Sequence, residues 1–110
     1  MVSGKSIAIV VPAYNEELLI SKTMNGMPSF VDAVIVVNDG SKDRTLEILQ
    51  DLAKKDKRIQ VVDHVVNKGL GQSLITGYLE ARRQAYDITA VMAGDAQMSP
   101  DDLPAVLETI

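Results

Sequence analysis

Four short runs of apolar, mostly β-branched residues recur along the chain, each separated from the next by a stretch with helical spacing. They are Ser6-Ile-Ala-Ile-Val-Val-Pro12, Val34-Ile-Val-Val37, Ile59-Gln-Val-Val62 and Ile88-Thr-Ala-Val-Met92. A run that is apolar without alternation has to be covered on both faces. That is the situation of a strand in a parallel sheet with helices on either side.

The intervening stretches supply those helices. Asn15 followed by Glu16 and Glu17 reads as an N-cap with an acidic first turn. The helix continues through Leu18, Leu19, Ser21, Lys22 and Met24, fades at Asn25-Gly26 and ends before Pro28. Ser41 or Asp43 caps a second helix, whose stripe is Leu46, Ile48, Leu49, Leu52 and Ala53. The cations Lys54, Lys55 and Lys57 close it where the helix dipole favours them. A third helix is expected over residues 71–86, with Leu74, Tyr78, Ala81 and Ala85 on one face. Ser99-Pro100-Asp101-Asp102 carries the signature of a fourth, with an N-cap serine, proline at the first helical position and acids behind it. That helix is expected to run to Ile110. The order β-α-β-α-β-α-β-α predicts one α/β domain over residues 1–110, an open doubly wound parallel sheet with right-handed crossovers.

Composition removes several classes of function. A formal charge of −4 with scattered, acid-mixed cations gives no basic face for nucleic acid. The absence of cysteine leaves no disulfide framework and no thiolate metal site, which is compatible with the cytosol. No apolar run approaches the roughly 20 residues of a membrane span, and the first apolar run is too short for a signal peptide.

Chemistry-bearing residues gather at three loops that follow strands, residues 12–16, 38–43 and 93–99. Parallel strands send their carboxyl ends to one edge, so these loops converge where ligands of open α/β sheets sit. Asp39 and Asp95 each follow an apolar run directly. Two acids there suit a divalent cation or a hydroxyl or base contact, and Mg²⁺ or Mn²⁺ takes carboxylate, amide and phosphate oxygens. Each acid has a plainer role open to it as well: Asp39-Gly40-Ser41 as a tight turn plus cap, Asp95 as the head of an Asx-turn. Tyr14 can simply cover the rim, and Met98 is the one methionine beside this edge. His64 has no second histidine to complete a metal site and reads as a structural residue. Asn67-Lys68-Gly69-Leu70-Gly71 before a helix offers backbone N–H groups to an anion. As a dinucleotide fingerprint it is incomplete, with Leu74 where the third glycine belongs, and no Walker A pattern occurs.

Four stretches taken together resemble the nucleotide-sugar half of the inverting family-2 glycosyltransferases, which have the Rossmann-like GT-A fold. They are Val10-Val-Pro-Ala-Tyr-Asn-Glu-Glu17, Val36-Val-Asn-Asp-Gly-Ser-Lys-Asp43, Asn67-Lys-Gly-Leu-Gly71 and Gly94-Asp-Ala-Gln-Met-Ser-Pro100, in the family's order and spacing. The first and last most resemble the branch that includes dolichol-phosphate mannose synthase and other polyprenyl-phosphate glycosyltransferases. The resemblance implies transfer of a sugar from a UDP- or GDP-linked donor to a polyprenyl-phosphate acceptor. It implies that Pro12, Ala13, Tyr14 and Glu16 line the nucleotide and that Val37 and Asp39 meet its base and ribose. Lys68, Ala93, Gly94 and Asp95 would belong to the same nucleotide-sugar site. Asp95 stands at the second acid of the family's D-x-D and Gln97 at the glutamine beside it, so these two are the expected metal ligands for Mg²⁺ or Mn²⁺. Ala93 replaces the first acid, which predicts a weakened metal site. Asn38 stands where many relatives have Asp.

The family's catalytic domain is longer, so the resemblance implies a chain truncated before the acceptor half, with the catalytic base outside it. It also implies a parent acting at the cytoplasmic membrane face. A fourth strand left bare on its outer side predicts self-association through Ile88-Thr-Ala-Val-Met92 or through the last helix. The competing reading is a non-catalytic α/β nucleotide-binding or interaction module using the same edge. A receiver-like variant of it would need an acid pair after the first strand, where Pro12-Ala13-Tyr14-Asn15 stands.

Overall fold

Strand β1 (Ile7–Ala13) takes the middle of the sheet because it is apolar on both faces and is covered on both. The computed structural model describes residues 4–92 and the short strand at 108–109. The other elements are α1 (Ile20–Asn25), β2 (Ala33–Asp39), α2 (Thr45–Lys55), β3 (Ile59–His64), α3 (Leu70–Arg83), β4 (Ile88–Val91) and β5 (Glu108–Thr109). The sheet order is β3-β2-β1-β4-β5. The first four strands are parallel, as the unalternating runs require, and β5 is antiparallel to β4.

Side chains leave β1 alternately to two cores. Ile7, Ile9, Val11 and Ala13 pack with Val34 and Val36 of β2, Ile20 and Met24 of α1 and Leu49 of α2. Ala8 lies on the other side with Ala33, Ile35 and Ala81 of α3. Two helices on one face and the third on the other make the sheet doubly wound. Each fully buried Ile or Val contributes about 1.5–3 kcal/mol of transfer free energy.

Helix α3 reaches the sheet through small residues. Ser73, Gly77 and Ala81, four apart, are its buried positions, whereas Leu74 and Tyr78 are half-buried and Leu79 is exposed. The expected face of Leu74, Tyr78, Ala81 and Ala85 is therefore corrected to Ser73, Gly77 and Ala81. The cause is Val10 below it: a Cβ placed on Gly77 would lie 2.3 Å from Val10 Cγ1, so only a bare Cα fits. The helix ends at Arg83, short of Ala85, which has left-handed backbone at φ 62°.

Three further expectations change. Helix α1 begins at Ile20, five residues after Asn15, because Asn15 has φ 52° and serves a neighbouring loop instead of capping. Strand β1 runs through Pro12 to Ala13 instead of stopping before the proline. The helix expected from Ser99 to Ile110 is corrected at its end, since residues 108–109 are strand; its start at Ser99-Pro100 lies outside the described residues. The strand pairs Ile88 with Thr109 and Thr89 with Glu108. The outer edge of β4, expected bare, is thus covered over its first two residues by the chain itself, as unpaired ladder groups require. The amino-terminal edge of the sheet closes on itself too. Asp32 Oδ2 accepts the Ile7 N–H at 2.7 Å, and Asp87 Oδ2 accepts the Ser6 N–H at 2.8 Å.

Candidate functional site

The carboxyl-terminal edge is organised by the reversal of strand order between β1 and β4. Successive crossovers run from β1 outward to β3, and the next returns across the sheet to β4 on the far side of β1. The carboxyl ends of β1 and β4 therefore mark a topological switch point, the place where open α/β sheets take their ligands. Pro12 stands at that switch point. Ser6, Val10 and hence every second residue of β1 bond toward β4, the last described contact being Met92 N–H to Val10 C=O at 3.0 Å. Pro12 is next in that alternation and has no N–H to give. Pro12 thus donates nothing toward β4, while Ala13 stays in register with Asn38 of β2.

Beyond Pro12 the first loop is stitched to the second. Asn15 N–H donates to Ser41 Oγ at 3.0 Å, and Asn15 Oδ1 accepts the Lys42 N–H at 2.8 Å. The Glu16 N–H donates to Thr45 Oγ1 at 2.8 Å and the Glu17 N–H to Asp43 Oδ2 at 3.3 Å. Asparagine is among the few residues that adopt left-handed backbone readily, which is what this reciprocal pairing asks of position 15. Asp43 also takes the Thr45 N–H at 2.9 Å and the Thr45 hydroxyl from one residue before the N-cap position, which is Arg44 and not the expected Ser41 or Asp43, while Ser41 serves Asn15. Burial pushes the Asp43 carboxyl up, but the Thr45 hydroxyl and the Thr45 and Glu17 N–H groups outweigh it and hold the pKa below the ordinary value. The loops thereby present Tyr14, 41% exposed, on a braced backbone.

The second loop and the segment after β3 (residues 65–69) meet at Asp39. Its carboxylate is 4% exposed and reaches neither Ser41 nor its own turn. Oδ1 accepts the Lys68 N–H at 2.8 Å, and Oδ2 accepts the Gly69 N–H at 2.9 Å. His64, buried beside it at the same level of β3, places Nδ1 3.1 Å from Asp39 Oδ1 and Nε2 2.9 Å from Thr76 Oγ1 of α3. Burial pushes the Asp39 carboxyl up, but the hydrogen bonds from Lys68, His64 and Gly69 together hold its pKa below the ordinary value. Gly40, at φ 68°, completes the fit, because a Cβ there would lie 2.4 Å from the Asn67 nitrogen.

The expected site residues are placed unequally. Pro12 and Ala13 end β1, Asp39 ends β2, and Tyr14, Glu16 and Lys68 lie on the loops of this edge, with Tyr14 and Lys68 exposed. Val37 lies one pleat deeper with its side chain fully buried, so it can offer a ligand backbone only. Asp39 has three of its roughly four lone-pair sites filled by protein donors. Ala93, Gly94, Asp95, Gln97 and Met98 lie outside the described residues. Among the described residues no three His, Cys, Asp or Glu side chains gather as a metal-binding group. Asp39, facing N–H donors, is not a cation ligand, whereas a carboxylate and an amide oxygen such as Asp95 and Gln97 carry have the chemistry that Mg²⁺ or Mn²⁺ takes. The Asp39 partners His64 and Thr76 were not among the expected residues. The available signal was position: Asp39 and His64 each stand two residues past a matching Val pair, Val36-Val37 and Val61-Val62.

Comparison with known proteins agrees with this architecture. The family model described as Glycosyl transferase family 2 matches residues 8–110. The UDP-N-acetylglucosamine–dolichyl-phosphate N-acetylglucosaminyltransferase of Methanococcus voltae is 33% identical, over 98% of this chain and 48% of its own length. The dolichol-phosphate mannosyltransferase of Pyrococcus furiosus is also 33% identical, over 94% of this chain and 30% of its own. The chain thus spans about half, or less, of these curated relatives. Among solved structures, the mannosyltransferase of Pyrobaculum calidifontis in complex with GDP-Man and Mn²⁺ superposes with a TM-score of 0.71 at 21% identity. That match covers 83% of this chain and 28% of the other, and shows the shared fold.

Proposed function

The chain belongs to glycosyl transferase family 2, and from that premise we propose that it is the donor-binding part of an enzyme moving a sugar from a UDP- or GDP-linked donor to a polyprenyl-phosphate acceptor. The observation that carries this reading is the stitched carboxyl-terminal edge at the β1–β4 reversal. There the strand ends and loops bearing Pro12, Tyr14, Glu16, Asp39 and Lys68 converge in a chain that matches the family along nearly its whole length. The acceptor class is drawn from the relatives in Methanococcus voltae and Pyrococcus furiosus, both named for dolichyl-phosphate chemistry.

In this reading the chain's own residues bind and orient. The exposed Tyr14 ring offers a face and an edge to the nucleoside, and Pro12 brings no N–H donor to the β4 side of the switch point. Lys68 offers a cation to the diphosphate, its backbone fixed by Asp39. Asp95 and Gln97 would hold Mg²⁺ or Mn²⁺, which when bound stabilises charge on the leaving nucleoside diphosphate as a Lewis acid. Ala93 leaves that site one carboxylate poorer. An acceptor embedded in lipid would place the parent enzyme at the cytoplasmic face of a membrane. No helix among the described residues is long and apolar enough to cross one.

The test is thermal denaturation with millimolar UDP or GDP and Mn²⁺. A nucleotide that binds the native state at 100 times its Kd raises stability by about 2.7 kcal/mol. We expect a rise in Tm with one of the two nucleotides and its loss in Asp95→Ala. No rise with either would refute donor binding by this chain.

A further inference from the structure

We infer that His64 is a positioning residue for donor binding: its imidazole orients the Asp39 carboxylate, which in turn holds the Lys68–Gly69 turn at the nucleotide edge. The inference rests on the donor-binding reading above and adds to it a residue that neither touches the donor nor belongs to the loops expected to contact it.

Three elements meet at this one ring. Asp39 closes β2, His64 closes β3, and Thr76 lies in the second turn of α3; the ring bridges the outer two with contacts of 3.1 and 2.9 Å. An ionised carboxylate only accepts, so Nδ1 must carry the proton toward Asp39. In the neutral ring Nε2 then accepts the Thr76 hydroxyl. The donor–acceptor order fixes the imidazole plane, and the plane fixes where Asp39 Oδ1 lies. That same oxygen receives the Lys68 N–H, while Oδ2 receives the Gly69 N–H. Gly69, at φ 92°, makes a turn that other residues adopt poorly; its N–H is shared between Asp39 Oδ2 and Asn67 Oδ1 (3.1 Å), so the carboxylate adds to a local bond the tie that fixes the turn to β2. Gly40 sits against the same loop at Asn67 with no room for a Cβ, so a displaced Asp39 has little space in which to settle differently.

The arrangement has no need of a histidine for packing alone. A branched apolar residue would fill the volume between β3 and α3, but it would leave Asp39 Oδ1 with one donor in a nearly water-free place and the Thr76 hydroxyl without the acceptor it has on this side. Hydrogen bonds to a charged acceptor contribute enough that losing one changes an affinity about tenfold when the acceptor shapes the site.

The chain has a single histidine, which makes a direct test available. Imidazole ¹⁵N resonances of the labelled protein report the His64 tautomer without overlap, and UDP and GDP, each with the diamagnetic Mg²⁺, are the probes. We expect the Nδ1–H form in the free protein, and a shift of both ring nitrogens on saturation with the nucleotide that binds. Calorimetric titration should find His64→Ala about tenfold weaker. His64→Asn, whose amide nitrogen falls near Nδ1, should restore affinity to within about threefold of the parent. His64→Gln, which reaches toward Thr76 instead, should not restore it. A merely structural role predicts lowered Tm in all three variants with equal affinities for the folded fraction. Ring resonances unmoved by a bound nucleotide, the Nε2–H tautomer, or equal affinities of Asn and Gln variants would overturn the inference while leaving donor binding intact. If His64→Ala does not fold, the wild-type resonances and the Asn–Gln pair decide alone. Failure of the unmodified chain to bind either nucleotide overturns the donor-binding reading itself, and this inference with it.

Discussion

Gly77→Ala sets two well-understood effects against each other at the tightest contact between a helix and the sheet. In a helix interior alanine is favoured over glycine by about 1 kcal/mol. Position 77 lies in the middle of α3, so propensity alone predicts a more stable protein. The new Cβ, however, would stand 2.3 Å from Val10 Cγ1, 3.2 Å from Cγ2 and 3.3 Å from Cβ. Carbon atoms in contact prefer roughly 3.5–4.0 Å, so the pair must separate by more than 1 Å. Val10 cannot yield easily. It is fully buried in the central strand, branched at Cβ, and its carbonyl is bonded to Met92. Lifting α3 is the remaining response, and it loosens Ser73 and Ala81 together with the Thr76 bond to His64. Overpacking of this kind costs about 1–3 kcal/mol, toward the upper end for a backbone-to-branched-residue contact. The net expectation is destabilisation by about 1–2 kcal/mol, a fall in Tm on the order of 5–10 °C for a domain of this size. Urea denaturation of Gly77→Ala, Val10→Ala and the double variant measures it. Removing both Val10 methyls makes room for the new Cβ, so the double variant should be more stable than the sum of the singles by about 1 kcal/mol or more. A stabilised Gly77→Ala, or strict additivity with Val10→Ala, would refute the close-contact argument.

Asn15 offers a similar separation at the candidate site. Asn15→Ala loses the bond to the Lys42 N–H and keeps a side chain in left-handed backbone, and should cost about 1.5–2.5 kcal/mol; Asn15→Gly loses only the bond and should cost about 1 kcal/mol. Equal costs in chemical denaturation would show that the backbone conformation carries no strain. Acid stability should follow Asp39 and Asp43, both held below their unfolded value of 3.8. A depressed carboxylate leaves the native state with fewer protons than the unfolded chain, so its stabilisation is complete above about pH 4 and is lost as pH falls through the folded pKa. Denaturation between pH 7 and 2 should therefore show a plateau followed by a decline, and Asp39→Asn should flatten that decline.

The four parallel strands were legible because an unalternating branched run permits few other structures, and their shared edge followed from parallelism alone. Individual ends were less legible. Pro12 suggested a break, yet its missing N–H falls on the β4 side and leaves the register with β2 intact, so β1 continues past it. Asn15 looked like a cap because caps and left-handed loop positions favour the same residue; only the approach of Ser41 and Lys42, more than 25 residues away, distinguishes them. The buried face of α3 could not be read from apolar spacing, since the constraint was Val10 beneath Gly77 and not the helix's own hydrophobicity. Asp39 was open between a local turn and a ligand contact. Its carboxylate instead ties two loops together through partners that no local pattern joins to it. The resemblance spread over four weak stretches identified the family, because their order and spacing are shared even where each alone is ordinary turn chemistry.

Amide mapping with UDP or GDP and the diamagnetic Mg²⁺ tests the donor-binding account most directly. Two-dimensional ¹H–¹⁵N spectra of the chain should show shifts concentrated at residues 13–17, 39–41, 67–69 and 93–97, with the α1 and α2 faces remote from that edge unmoved. Shifts centred elsewhere on the sheet, or no shift with either nucleotide at millimolar concentration, would contradict it.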